Sequence, residues 1–129
     1  MDQNVRRASP FSDLLGNEVI EWHDGFARIG LVLRPHHLNR GGIVHGGVLM
    51  SLLDDCGAAA GVWSDPPGQR RSVTVTLTCQ FTGRAREGRL VGSASVVSHG
   101  RSTYFSRSEV HDETGQLLAF GSSTHRWLG

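Results

Sequence analysis

The sequence predicts an α+β domain in which an antiparallel β-sheet of about six strands wraps around one long central helix. Three observations lead there. Residues 45–63 carry apolar side chains almost all round a helical period, from Val48, Leu49, Met50, Leu52 and Leu53 to Ala58, Ala59, Ala60 and Val62. A helix of that kind belongs inside a protein. Most of the remaining segments alternate apolar and polar residues with the period of a strand. Short turn-forming stretches separate them, with no repeat and no Pro/Ser-rich linker, so 129 residues form one domain spanning 1–129. Residues 1–9 are expected to be a flexible N-terminus.

The elements follow in order. Pro10 to Gly16 predicts a short helical turn closed by its glycine. Glu18 to Trp22 and Phe26 to Leu33 read as strands joined by His23-Asp24-Gly25, and Pro35 ends the second because it cannot donate to a ladder. A His-, Asn-, Arg- and Gly-rich loop, 36–44, leads into the long helix, and Ser64 to Gln69 breaks the chain after it. Arg71 to Phe81 sets Val73, Val75, Leu77 and Cys79 against alternating threonines. Arg89 to Ser98, Ser102 to His111 and Gln116 to His125 then complete an expected antiparallel meander, with a hairpin turn at 112–115. A sheet must curl to cover such a helix. Its exposed face or edge gives it reason to pair with a second copy.

Composition narrows the function. A formal net charge of +1 argues against a nucleic-acid partner. No apolar run reaches the roughly 20 residues of a membrane helix, and the N-terminal residues lack the apolar stretch of a secretory signal, so the cytoplasm is the expected compartment. Cys56 and Cys79 have neither metal-ligand nor redox spacing and read as small packed side chains. No convincing metal-ligand set is present.

The chemistry concentrates in residues 39–57, NRGGIVHGGVLMSLLDDCG. Gly46 and Gly47 open the helix, where unpaired N–H groups and the helix dipole favour a developing negative charge. Glycine there also lets a ligand carbonyl approach the backbone. Asp54 and Asp55 then fall inside an apolar helix, where a carboxylate is costly unless paired or functional. Taken singly, each signal has a plain structural reading: a glycine pair at a helix start, a capping His45, a turn-forming Asn39, an aspartate facing solvent or an interface. Gly46 and Asp54 lie about 12 Å apart along one helix, too far to act on one reacting atom. A shared site should therefore combine Gly46 of one subunit with Asp54 of another.

Asn39, then His45-Gly46-Gly47, then Asp54 nine residues after the histidine resemble the motif of the hotdog-fold acyl-CoA thioesterases, in the phenylacetyl-CoA and 4-hydroxybenzoyl-CoA thioesterase superfamily. The resemblance runs from about Pro10 to Arg126. It selects Asp54 over Asp55, which helix geometry then directs elsewhere. It implies acyl-CoA hydrolysis, with Asp54 as general base or nucleophile and the Gly46 N–H as oxyanion hole. Asn39 is expected to orient the water or the carbonyl, Ser72 to hydrogen-bond the water or Asp54, and His45 to fix the loop beside the thioester. Gly47 is expected to lie against the substrate. A homodimer with shared sites, assembled into a homotetramer, follows from the same resemblance, with CoA as part of the substrate and no separate cofactor. Arg84, Arg86 and Arg101, in the strand connections, are candidates for the CoA phosphates. The acyl group is expected to be aromatic or medium-chain; Phe11, Leu14, Leu15, Met50, Leu53 and Trp63 are pocket candidates that core packing would equally explain. The alternatives are an acyl-thioester dehydratase or hydratase pairing His45 with Asp54, and a non-catalytic acyl-CoA binding module on the same fold.

Overall fold

The computed structural model describes residues 9–129. The expected flexible stretch 1–9 therefore lies, apart from Ser9, outside the described residues. Helix α1 (Pro10–Leu15) starts at Ser9, whose hydroxyl accepts the Ser12 N–H at 3.1 Å. It ends at Gly16, whose φ of 91° only glycine adopts without strain. Strands β1 (Glu18–His23) and β2 (Phe26–Val32) form a hairpin, and a 3-10 turn (Pro35–His37) begins the loop to helix α2 (Gly46–Ala60). Strands β3 (Ser72–Phe81), β4 (Arg89–His99), β5 (Thr103–His111) and β6 (Leu117–Trp127) follow.

All pairings are antiparallel, and the sheet order is β1-β2-β4-β5-β6-β3. The last four strands are therefore not one meander. Strand β2 takes β4 as its neighbour, so β3 crosses to the far edge and pairs with β6. That crossing puts β1 and β2 at one edge of the sheet and β3 at the other, and strands from both edges contact α2. The core lies between them. Leu49, Leu52, Leu53, Cys56 and Ala60 of α2 pack on Ala27, Ile29, Leu31, Leu90, Ala94, Val110, Leu118 and Ala119. No helix among the described residues is long and apolar enough to cross a membrane.

The loop before α2 is held from inside. His37 is buried; its Nε2–H donates to the Leu15 carbonyl at 2.7 Å, and its Nδ1 accepts the Arg34 N–H at 2.9 Å. Burial pushes the His37 imidazole below its ordinary value, and burial does the same to His125 on β6. Both rings fold neutral, whereas the unfolded chain takes up their protons below pH about 6.5. Their contribution is complete above that pH and is lost as the pH falls. Thermal unfolding should therefore show Tm declining from pH 7.5 to 5.5, with a shallower decline in His37→Gln. Equal slopes would show that His37 is not a source of it.

Candidate active site

Helix α2 begins with an arrangement that singles out one donor. The N-terminal turn of a helix has N–H groups without intrahelical partners. Here His45 is the N-cap, and its Nδ1 accepts the Gly47 N–H at 2.8 Å. The Val48 and Leu49 N–H groups bond to the His45 carbonyl at 2.9 and 3.4 Å. The first donor left for a ligand is the Gly46 N–H. A Cβ on Gly46 would meet only the Phe81 ring at 3.7 Å, so the approach to that donor is not filled by neighbouring backbone. Since His45 Nδ1 accepts, the neutral ring carries its proton on Nε2, and this histidine is spent on shaping the helix start.

Asn39 shapes the loop in front. Its side-chain oxygen accepts from the Gly41 and Ile43 N–H groups at 2.9 and 3.3 Å, and its backbone pairs with Ile43 and Gly42. Its amide N–H₂ is the part free of that task. Gly47 is exposed on the helix start.

The two adjacent carboxylates separate as helix geometry requires. Asp55 turns to α1, where one oxygen, Oδ2, accepts from Ser12 Oγ at 2.9 Å and Asn17 Nδ2 at 2.6 Å. Burial pushes its carboxyl up, against the opposing pull of those hydrogen bonds. It is a structural pin between the two helices. Asp54 turns to β3, where its Oδ1 accepts the Thr74 hydroxyl at 2.7 Å, and it remains partly open. Thr74 was not singled out by sequence, and the reason is a β-bulge. The β3–β6 register slips between Thr74 and Thr76, so Thr74 joins the helix-facing side that continues with Leu77 and Cys79. Strict alternation hides that.

Ser72, expected on the water or on Asp54, bonds instead to the Tyr104 phenol at 2.7 Å, and Tyr104 donates on to the Ala58 carbonyl. The contact to Asp54 belongs to Thr74, two residues later on the same face. The arginines do not converge within one protomer. Arg84 and Arg86 follow the end of β3, and Arg86 lies beside Gly42 near the start of α2. Arg101 sits in the β4–β5 turn with Arg70, Arg71 and Trp127, around a cavity of about 300 Å³ at the other end of the sheet. The Arg70-Arg71 pair immediately precedes β3.

The pocket candidates scatter as well. Leu53 is fully buried core, whereas Phe11, Leu14 and Met50 are exposed. An apolar cavity of about 250 Å³ lies elsewhere, lined by Val19, Trp22, Ile29, Ala58 and Val62 among others, with Asp55 at its wall. Neither cysteine is poised as a nucleophile: Cys56 is fully buried, which pushes its thiol up, and Cys79 packs against the core.

Comparison with known proteins agrees with this architecture. A family model described as the thioesterase superfamily matches residues 41–119, the stretch from the loop before α2 into β6. The chain is 34% identical over 127 residues to a Pseudomonas aeruginosa protein named "Putative esterase PA0474", covering 94% of this chain and 80% of that one. It superposes on the conserved protein PA5202 of Pseudomonas aeruginosa with a TM-score of 0.88 at 31% identity, over 96% of this chain and 98% of that one. A variant of the phenylacetic acid degradation protein PaaI from Thermus thermophilus gives a TM-score of 0.81 at 29% identity, over 93% and 100% of the two chains. Fold, motif and relatives converge: the chain belongs to the thioesterase superfamily and is a hotdog-fold thioester hydrolase.

Proposed function

We propose that the protein hydrolyses an acyl-CoA to the free acid and CoA, at sites built from Asp54 of one subunit and the Gly46 N–H of another. The observation that carries this reading is the layout along β3. It is an edge strand with Val73, Val75 and Phe81 exposed, and an apolar edge of that kind calls for a partner. Its first half holds Thr74 against Asp54, and its last residue, Phe81, lies against Gly46. Antiparallel pairing of β3 with its own copy, about a two-fold near Leu77 and Thr78, brings the Asp54 half of each strand opposite the Gly46 half of the other. One symmetry operation thus assembles two complete sites from groups that are about 12 Å apart on a single helix. The same operation carries the arginines after β3 of one subunit towards Arg70 and Arg71 of the next, a fitting place for CoA phosphates.

In this site the thioester oxygen accepts the Gly46 N–H and the negative charge it gains is met by the helix dipole. Asp54 takes a proton from water as the water oxygen bonds to the carbonyl carbon; the C–S bond then breaks and the proton passes to the departing thiolate. Direct attack by Asp54, giving a transient anhydride that water opens, uses the same geometry. The Asn39 amide N–H₂ supplies the remaining donor at the carbonyl or the water. The acyl group in this reading is an aromatic or medium-chain acid. The phenylacetic acid degradation relative is consistent with the aromatic class. Pairing of two dimers into a tetramer would cover exposed Val97, Phe105 and Phe120 on the sheet. The protein acts in the cytoplasm in this reading.

The test is thiol release from a panel of aromatic and aliphatic acyl-CoAs. Aromatic and medium-chain substrates should be turned over, and long-chain ones should be poor. Acyl-CoA that binds without releasing thiol would instead point to a binding module, and water loss from a hydroxyacyl-CoA to a dehydratase.

A further inference from the structure

Behind Asp54 lies a polar chain, buried at Ser123 and His125 and exposed at Thr74, that the reaction as described does not use. His125 on β6 has no exposed surface, and its ring stacks on Tyr104 with centroids 5.0 Å apart. Both ring nitrogens are engaged: Nε2 meets Ser123 Oγ at 2.7 Å, and Nδ1 meets Thr74 Oγ1 at 3.2 Å. Thr74 in turn meets Asp54 Oδ1 at 2.7 Å. Helix α2 makes room for this pair with a glycine, since a Cβ on Gly57 would fall 2.6 Å from Ser123 Oγ and 3.1 Å from His125 Nε2. Buried Ser123 and His125 thus connect, through the Thr74 hydroxyl, to a carboxylate that opens to the outside.

The direction of every hydrogen in this chain follows from its last member. A carboxylate only accepts, so the Thr74 O–H points to Asp54. Thr74 Oγ1 must then accept from His125, which places the ring proton on Nδ1. Nε2 of the neutral ring is left as an acceptor, filled by the Ser123 O–H. The chain is one-way, from Ser123 to His125 to Thr74 to Asp54.

We propose that Thr74 and His125 are positioning residues that hold Asp54 Oδ1 in place, so that Oδ2 is presented to the attacking water or to the thioester carbon. The proposal rests on the reading of Asp54 as the reacting carboxylate. Because Nδ1 already carries a proton, His125 does not accept one through Thr74. The proton that Asp54 takes from water stays on Asp54 until the thiolate leaves. The device therefore raises the fraction of time that the carboxylate spends in a reactive orientation and leaves substrate binding alone.

Thr74→Val keeps the shape and removes the hydroxyl; Thr74→Ser keeps the hydroxyl. With the acyl-CoA turned over best by the wild type, Thr74→Val should lower kcat about tenfold at nearly unchanged KM. Thr74→Ser should remain within about threefold of the wild type. Independently of activity, ¹⁵N NMR of the imidazoles should show His125 with its proton on Nδ1. In Thr74→Val the proton should move to Nε2, where Ser123 is the partner left. Wild-type kcat in Thr74→Val, or a wild-type ring protonated on Nε2, would overturn the proposal. Asp54→Asn measured alongside separates the two levels. If it is inactive while Thr74→Val is unimpaired, only the positioning role fails; if it retains the wild-type rate, the carboxylate reading fails and the positioning role with it.

Discussion

Asp54→Asn should lower kcat for thiol release by about 10²–10⁴-fold while the protein stays folded and its oligomeric state is unchanged. The substitution is close to isosteric, and an amide oxygen at the Oδ1 position still accepts the Thr74 hydroxyl. What it removes is the ability to take a proton from water or to attack a thioester. Asp55→Asn is the matched comparison, because the neighbour differs in partners and not in chemistry. Both bonds to Asp55 fall on one oxygen, so an amide oriented with its oxygen there keeps Ser12 and Asn17. It also removes a charge that burial disfavours. Asp55→Asn should therefore change kcat by no more than about threefold and stability by less than about 1 kcal/mol. The pair of results is informative because the residues are adjacent. A large loss in Asp55→Asn with none in Asp54→Asn would reverse the assignment, and equal losses would point to a general effect of the helix charge.

The division between these aspartates shows what the sequence could carry. Helix periodicity separates Asp54 from Asp55 by about 100°, and a motif spacing picks the reacting one. The strand boundaries, the long buried helix and the capping role of His45 are local, and local patterns record them. Thr74 illustrates the opposite case. A single bulge at Val75 moves it to the side of Asp54, and nothing in SVTVTLTCQF marks which residue will be extra. Ser72 and Thr74 are equivalent candidates in sequence and distinct ones in space. His125 is further out of reach, since its meaning depends on β6 lying beside β3, a neighbour relation set by the crossover of the chain. The arginines meet the same limit: Arg84 and Arg101 both sit in connections, and only the path of the chain reveals that these lie at opposite ends of the sheet.

Gly46→Pro should reduce kcat by about 10²–10³-fold, the usual effect of losing one oxyanion donor, and it should do so in a folded protein. Gly46 is the first residue of α2, a position where proline is tolerated because its N–H has no intrahelical partner. His45, the residue before it, has φ −67° and ψ 138°, the conformation that a following proline prefers. A side chain at Gly46 meets the Phe81 ring at ordinary contact distance. The substitution thus deletes a single N–H and little else. Its greatest use is in combination. A dimer of one Gly46→Pro subunit and one Asp54→Asn subunit has one site with both lesions and one with neither, if each site draws Gly46 and Asp54 from different subunits. Random mixing of the two inactive proteins, after dissociation and reassociation, should then restore about a quarter of the wild-type activity, since half of the dimers are mixed and half of their sites are intact. Sites contained within single subunits predict no recovery, because no subunit in the mixture has both groups. Absence of recovery with mixed dimers demonstrably present would therefore reject the shared site while leaving the two single-variant results standing.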